Sequence, residues 1–373
     1  MVVTLVSPFG EYGGPLRVAV NQSVALAERG HTVTIAGSYR GYDVAPSDIE
    51  GVPTKLFPGV QVIPKSGFAG LAAPRLWAWL ARAAGNFDVA HIHAARDLVT
   101  LPAARTAGLR GLPYVLQPHG MIDESDRAMS KPLDKGLTVP VLTRAHRVFF
   151  LTPQERDSLQ HVAADKGINL AELPNGVPET DISANSASSA SSDGSGREVL
   201  YLARLASRKR PDAFVRAAEA LSSEFPDVRF VLVGPDEGEG AEITRQIERA
   251  AARGTRIAWE GAISPAETLK RMSAASVYVL PSVDEPYPMS VLEAMSVGLP
   301  VVITKSCGLA EFVERSDAGI VVGHDDETLI DAMRRLLSDP ATAQRQGAKG
   351  RETVRAERSM SAIAASLEAA YTL

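Results

Sequence analysis

The stretch EVLYLARLASRKRPDAFVRAAEALSSEFPDVRFVLVG, Glu198 to Gly234, decides the fold. A short apolar run, EVLYLA, gives way to the polar RLASRKR; an amphipathic run then opens on Pro211, and a second short apolar run, VRFVLVG, follows. Proline suits the first helical position, where its missing N–H has no partner to lose. Strand, loop, helix, strand is the unit of a parallel sheet wound by crossover helices. The pattern continues with a helix from Ala241, the strand RIAWEG, a helix from Ser264 to Met272 and the strand SVYVLP. In that last helix Ser264, Pro265 and Glu267 spell a capping box.

Immediately before this stretch lies DISANSASSASSDGSGR, Asp181 to Arg197, which has almost nothing to bury and reads as a linker. The chain on its other side repeats the alternation: VVTLVS, PFGEYGGP, LRVAVNQSVALAERG, HTVTIAG. A length of 373 residues suits two domains better than one core. The expected fold is α/β, with two doubly wound parallel sheets. An N-terminal domain covers 1–180, the linker 181–197 and a C-terminal domain 198–355, with a last helix, 356–373, returning to the N-terminal domain. Ligands of such sheets sit off the C-terminal ends of the strands, so the loops of both domains are expected to line one cleft.

Composition narrows the function classes. A hydrophobic fraction of 45% and a charged fraction of 22% are those of a globular protein. The formal net charge of −5 argues against nucleic acid as the main partner. Cys307 is the only cysteine, which fits a reducing compartment. The opening MVVTLVSPFG lacks the basic and small-residue features of a signal peptide, and a cytoplasmic address is expected. The segment Leu71 to Gly85 places Trp77 and Trp79 beside Arg75 and Arg82, and KPLDKGLTVPVLTRAHR adds basic charge. Two readings stand: a helix lying peripherally on the inner face of an anionic membrane, or one packed on its own sheet.

The unusual residues collect in the loops. Arg204, Arg208, Lys209 and Arg210 fall within seven positions after a strand, and such cations repel one another unless an anion joins them. A forked guanidinium and a mobile ammonium suit a diphosphate. In PSVDEPYPMSVLEAMSVGLPVV, Pro281 to Val302, Pro286 and Pro288 hold Glu285 on a loop. The following run is helical, with Ser290 as the expected cap, Glu293 in the first turn and Gly298 at a left-handed end. One carboxylate on a loop and another near a helix N-terminus leave room for an anion between them. Gly13 and Gly14 would let a ligand approach another helix start, although such a pair is as often a tight turn. His119, directly after the strand of PYVLQPHG, is the strongest catalytic candidate of seven histidines; His91 and His93 rank below it, and His31 reads as structural. No D-x-D pair or metal-ligand spacing occurs, so no metal is expected.

These motifs resemble the retaining glycosyltransferases of the GT-B fold, family 4. The E-x7-E block with AMSVGLPVV, the Arg…Lys loop LARLASRKR, the pair in GEYGG, QPHG, and LPNGV at Leu173 to Val177 carry the resemblance across nearly the whole chain. It implies two Rossmann-like domains facing a cleft and transfer of a sugar from a nucleotide-diphosphate donor, with retention, to a hydroxyl of a glycan or lipid-linked glycan, as in bacterial polysaccharide biosynthesis. The mechanism implied is a metal-independent same-face attack, with the nucleotide sugar as co-substrate and no further cofactor. By the same resemblance Arg204 and Lys209 hold the diphosphate and Glu293 the ribose. Glu285 binds the donor sugar, the amides of Met289 and Ser290 approach sugar and phosphate, Gly13 and Gly14 belong to the donor site, and His119 faces the sugar. The chain departs from the family pattern in EPYP, where Pro288 replaces a glycine. A nucleotide-sugar epimerase of the same architecture and a catalytically degenerate sugar-nucleotide-binding subunit are the alternatives.

Overall fold

The computed structural model describes residues 1–8, 13–64, 66–124, 130–164, 166–184 and 197–372. Two compact units divide the chain: Met1–Gly176 together with Met360–Leu373, and Val177–Ser359. Most of the Ser/Ala/Gly-rich linker lies outside the described residues, and 177–184 fall within the second unit.

The first unit is built on β1 (Val2–Val6), β2 (Ile35–Tyr39), β3 (Asp48–Ile49), β4 (Val52–Pro58), a short β5–β6 ribbon (Val60–Gln61, Leu71–Ala72), β7 (Ala90–Ile92), β8 (Tyr114–Leu116), β9 (Arg147–Phe150) and β10 (Leu170–Glu172). The main sheet runs β10-β9-β8-β7-β1-β2-β4-β3, parallel except where β3 meets β4. The central strands are apolar on both faces because helices cover both: Val2, Val3, Leu5 and Val6 of β1 are all buried. Helices α1 (Gly13–Glu28), α2 (Pro74–Ala83), α3 (Thr100–Leu109), α4 (Ser130–Leu133), α5 (Val139–Arg144) and α6 (Pro153–Val162) belong to this unit. In α2, Leu76 and Leu80 are buried, Trp77 Nε1 donates to the Val99 carbonyl at 3.3 Å, and Trp79 packs between Phe57 and Phe87. Both indoles therefore join the unit's own core, which takes from this segment the aromatic side that an interfacial helix would need.

The second unit carries β11 (Glu198–Leu202), β12 (Arg229–Val233), β13 (Ile257–Trp259), β14 (Val277–Leu280), β15 (Val301–Thr304) and β16 (Gly319–Val322) in the order β13-β12-β11-β14-β15-β16, all parallel. Its helices are α7 (Pro211–Leu221), α8 (Gly240–Ala252), α9 (Thr268–Ser273), α10 (Met289–Ser296), α11 (Ala310–Arg315), α12 (Asp326–Ser338) and α13 (Pro340–Glu357). The capping box at Ser264 and Glu267 is present, but it opens a 3-10 turn, Pro265–Glu267, and α9 begins only at Thr268. A final helix, α14 (Met360–Tyr371), packs Ile363 and Leu367 against Leu26 and Phe149 of the first unit.

Both sheets reverse direction once. In the first, β2 lies on one side of β1 and β7 on the other; in the second, β12 and β14 flank β11 in the same way. Crevices for ligands open at such reversals, off the carboxyl ends of the strands. The loops concerned follow β1 and β7 in one unit and β11 and β14 in the other.

Candidate functional site

In the second unit the reversal brings together the loop after β11 and the loop after β14. Lys209 ends a 3-10 turn, Ser207–Lys209, and the chain leaves it through Arg210, whose φ of 51° turns it into α7. The Val283 amide donates to the Arg208 carbonyl at 2.8 Å, tying the two loops. Across this tie the Lys209 ammonium pairs with Glu285, and Arg208 reaches the same carboxylate at 3.4 Å. Lys209 is 8% and Glu285 6% exposed. Burial pulls the Lys209 pKa down, against the Glu285 charge that raises it.

Each cation of the loop has an internal carboxylate. Arg204 pairs with Glu237, and Arg210 with Asp326 at 3.2 Å. The repulsion that the sequence appeared to leave for a bound anion is thus already relieved by side chains. Arg204 and Glu237 are both about half exposed, so that pair is weak and easily exchanged.

Helix α10 begins at the far side of this loop. Ser290 was expected to cap it; Pro288 occupies that position instead, and Ser290 Oγ lies 2.8 Å from the Tyr278 hydroxyl. The reason is local: Pro288, at φ −76° and ψ 107°, already has the extended backbone of a cap. The helix consequently starts earlier than expected, and Glu293 stands just past its first turn. Glu293 is half-buried, its carboxylate has no hydrogen-bond or ion-pair partner among the described residues, and burial pushes its pKa up. Gly298, at φ 86°, ends the helix in the left-handed turn expected of it. Two features escaped the sequence reading. Ser282 has a buried hydroxyl with no partner among the described residues. Gly234, whose Cβ would sit 2.0 Å from the Ala203 carbonyl oxygen, lets the β12 end pass under Arg204.

In the first unit, α1 starts at Gly13, and a Cβ on Gly14 would meet nothing within 4 Å. Protein packing therefore does not require that glycine. His119 follows β8 with φ 55°, and Gly120 continues the left-handed turn at φ 73°. Two side chains hold this turn. His93 Nδ1 lies 2.8 Å from His119 Nε2, and Glu155 Oε1 accepts from the Gly120 amide at 2.5 Å. His91 sits behind His93 and bonds Tyr371 at 2.6 Å. Removal from water holds His119 down at about 3 and His91 and His93 well below 6.5, so all three rings are neutral at neutral pH. His31 pairs with Glu368 at 2.8 Å on the surface, a structural contact. Glu155 and Asp97 were not foreseen. Asp97 is buried at the end of β7 and accepts from Thr4, from the Val99 and Thr100 amides, and from the Thr100 hydroxyl. The spacing from Asp97 to Thr100 and the Thr152–Glu155 capping pair were the available signals.

Two family models match the chain in succession: Glycosyl transferase 4-like domain over residues 13–176 and Glycosyl transferases group 1 over residues 184–353. The chain is similar to a D-inositol 3-phosphate glycosyltransferase of Corynebacterium diphtheriae, 30% identical over 178 residues, which are 46% of this chain and 42% of that protein. It spans less than half the length of the curated relatives that it matches at about 30% identity. Among solved structures it resembles sucrose-phosphate synthase from Thermosynechococcus elongatus, with TM-score 0.72 and 24% identity over 100% of this chain and 98% of that one. It also resembles Anabaena HepE in complex with UDP, with TM-score 0.73 and 18% identity over 99% of each chain. These neighbours share the GT-B fold.

Proposed function

We propose, since this chain belongs to the group 1 glycosyl transferases and carries their 4-like partner domain, that it moves a sugar from a nucleoside-diphosphate donor to a hydroxyl of a glycan or lipid-linked glycan with retention of configuration. The observation that carries this reading is the Arg204, Lys209 and Glu285 cluster at the strand reversal of the second unit, beside the start of α10. Lys209 and Arg204 exchange their carboxylate partners for the diphosphate. The first amides of α10, at Met289 and Ser290, point the helix dipole at the same anion. The Glu293 carboxylate, lacking any partner among the described residues, is free to accept from the ribose hydroxyls. Glu285, once released by Lys209, accepts from hydroxyls of the donor sugar.

The UDP held by HepE, a neighbour of the same fold, supports a nucleotide-bearing donor. Gly13 and Gly14 leave the start of α1 open for a ligand, and His119 faces the transferred sugar. The leaving phosphate takes the acceptor's proton on the same face of the sugar, and the cations supplied by the protein stabilise its charge without a metal. Glu285 as a nucleophile is disfavoured by its ion pair, which ties the would-be attacking carboxylate to the Lys209 ammonium.

The test is thermal shift with uridine, guanosine and adenosine diphosphates, then turnover with the sugars of whichever binds. A ligand at a hundred times its Kd adds about 2.7 kcal/mol of stability. Lys209→Ala should lower kcat/KM with a loss of about 2–4 kcal/mol in transition-state stabilisation, and Arg204→Ala somewhat less because its side chain is half exposed. Wild-type kinetics in Lys209→Ala, or loss of turnover in chelator, contradicts the metal-free grip. An epimerised donor with no nucleoside diphosphate released would instead favour the epimerase reading.

A further inference from the structure

His91 and His93 alternate along β7 and its end, so their side chains leave the same face of the sheet, and His119 follows β8, the neighbour of β7. The three rings stack. The centroids of His91 and His93 are 4.7 Å apart at 3°, and those of His93 and His119 are 5.1 Å apart at 7°. His93 Nδ1 and His119 Nε2, 2.8 Å apart, share one proton between two neutral rings, and one of the two nitrogens must donate.

The surroundings decide which. His93 Nε2 is buried without a partner among the described residues. A proton there would leave an orphaned N–H donor in the interior, the rarest kind of unsatisfied group, whereas a bare nitrogen leaves only an unused acceptor. The proton of His93 therefore belongs on Nδ1. It donates to His119 Nε2, and His119 must carry its own proton on Nδ1. The backbone is pinned at the same place by the Gly120 amide on Glu155.

We propose that His93 is a positioning residue that fixes the tautomer of His119, so that His119 presents an Nδ1–H donor to an oxygen of the bound sugar. The inference rests on the reading of His119 as sugar-facing, but its first measurement does not. The depressed pKa values keep both rings neutral, as a fixed tautomer requires.

Nitrogen-15 shifts of the histidines in the labelled full chain at pH 7 should show His119 protonated on Nδ1. His93→Asn, whose amide N–H falls near the position of Nδ1, should preserve that state. His93→Phe should release His119 toward the Nε2–H form and lower kcat about tenfold, leaving the Kd for free nucleoside diphosphate within about twofold. His119 protonated on Nε2 in the wild type overturns the proposal, and so does an unchanged tautomer in His93→Phe. Undiminished turnover in His119→Ala overturns the sugar-facing role instead, while the shifts still report whether His93 sets the tautomer.

Discussion

Lys209 has one buried carboxylate and, in the proposed reaction, one incoming diphosphate to choose between. The two glutamates of the E-x7-E block should therefore fail in different ways. Glu285→Gln releases the ammonium, so free nucleoside diphosphate should bind at least as tightly as to wild type, while turnover falls by about a hundredfold or more because the sugar contact is lost in the transition state. Glu293→Gln should weaken free nucleotide and nucleotide sugar alike, since both carry the ribose. Calorimetric titration of each variant distinguishes them; an equal loss of nucleotide affinity in both refutes the division of roles. The histidine stack makes a second prediction at this scale. The unfolded chain accepts a proton on each ring near 6.5, whereas the folded rings refuse it until far lower pH, His119 until about 3. Below 6.5 the unfolded state thus binds more protons, and stability falls with pH by about 1.4 kcal/mol per unit for each ring. Denaturant midpoints between pH 7 and 4 should drop more steeply in wild type than in His91→Phe, and parallel curves would contradict the buried, neutral stack.

At the scale of elements, α10 and α13 meet through glycine. A Cβ on Gly347 would sit 2.0 Å from the carbonyl oxygen of Gly298, the left-handed residue that ends α10. Gly347→Ala must push α13 away and should destabilise the second unit by about 1–3 kcal/mol, weakening nucleotide binding through displacement of α10; an unchanged melting curve would show that the contact yields freely. The alternation of strands and helices was legible because each element shows its own period and its own stops: Pro211, Gly298, the capping box at Ser264. The chemistry of the loops was legible too, since four cations and two prolines stand out wherever they occur. Pairing was not. Glu237 lies 33 positions from Arg204 and reaches it only because β12 lies beside β11, an adjacency that no local pattern states. The start of α10 was misread for a similar reason: the hydroxyl of Ser290 looks like a cap until Tyr278 is known to lie against it.

At the scale of the whole molecule, no helix among the described residues is long and apolar enough to cross a membrane. The second unit runs unbroken from Val177 to Ser359, while the first is made of two separated pieces. Leu367, fully buried in α14, lies in a cluster with Ala25, Leu26, Val115 and Phe149. Leu367→Ala should therefore cost about 2–5 kcal/mol in the first unit alone. Calorimetry should show one of two thermal transitions lowered, with the transition that shifts on adding nucleotide unmoved; a shift in the nucleotide-sensitive transition would place α14 with the wrong unit. The two crossings of the chain lie side by side, for the Val177 amide donates to the Arg358 carbonyl at 2.8 Å. That return of the chain sets an order for birth on the ribosome. The second unit holds all its own parts once Ser359 has emerged, but the first, though begun earlier, lacks the helix that closes its core until the whole second unit has been made. At about 5–20 residues per second, it waits roughly ten to forty seconds with Phe149 and Leu26 uncovered. A chaperone that grips apolar surface would find its target in the first unit and would hold it until α14 emerged.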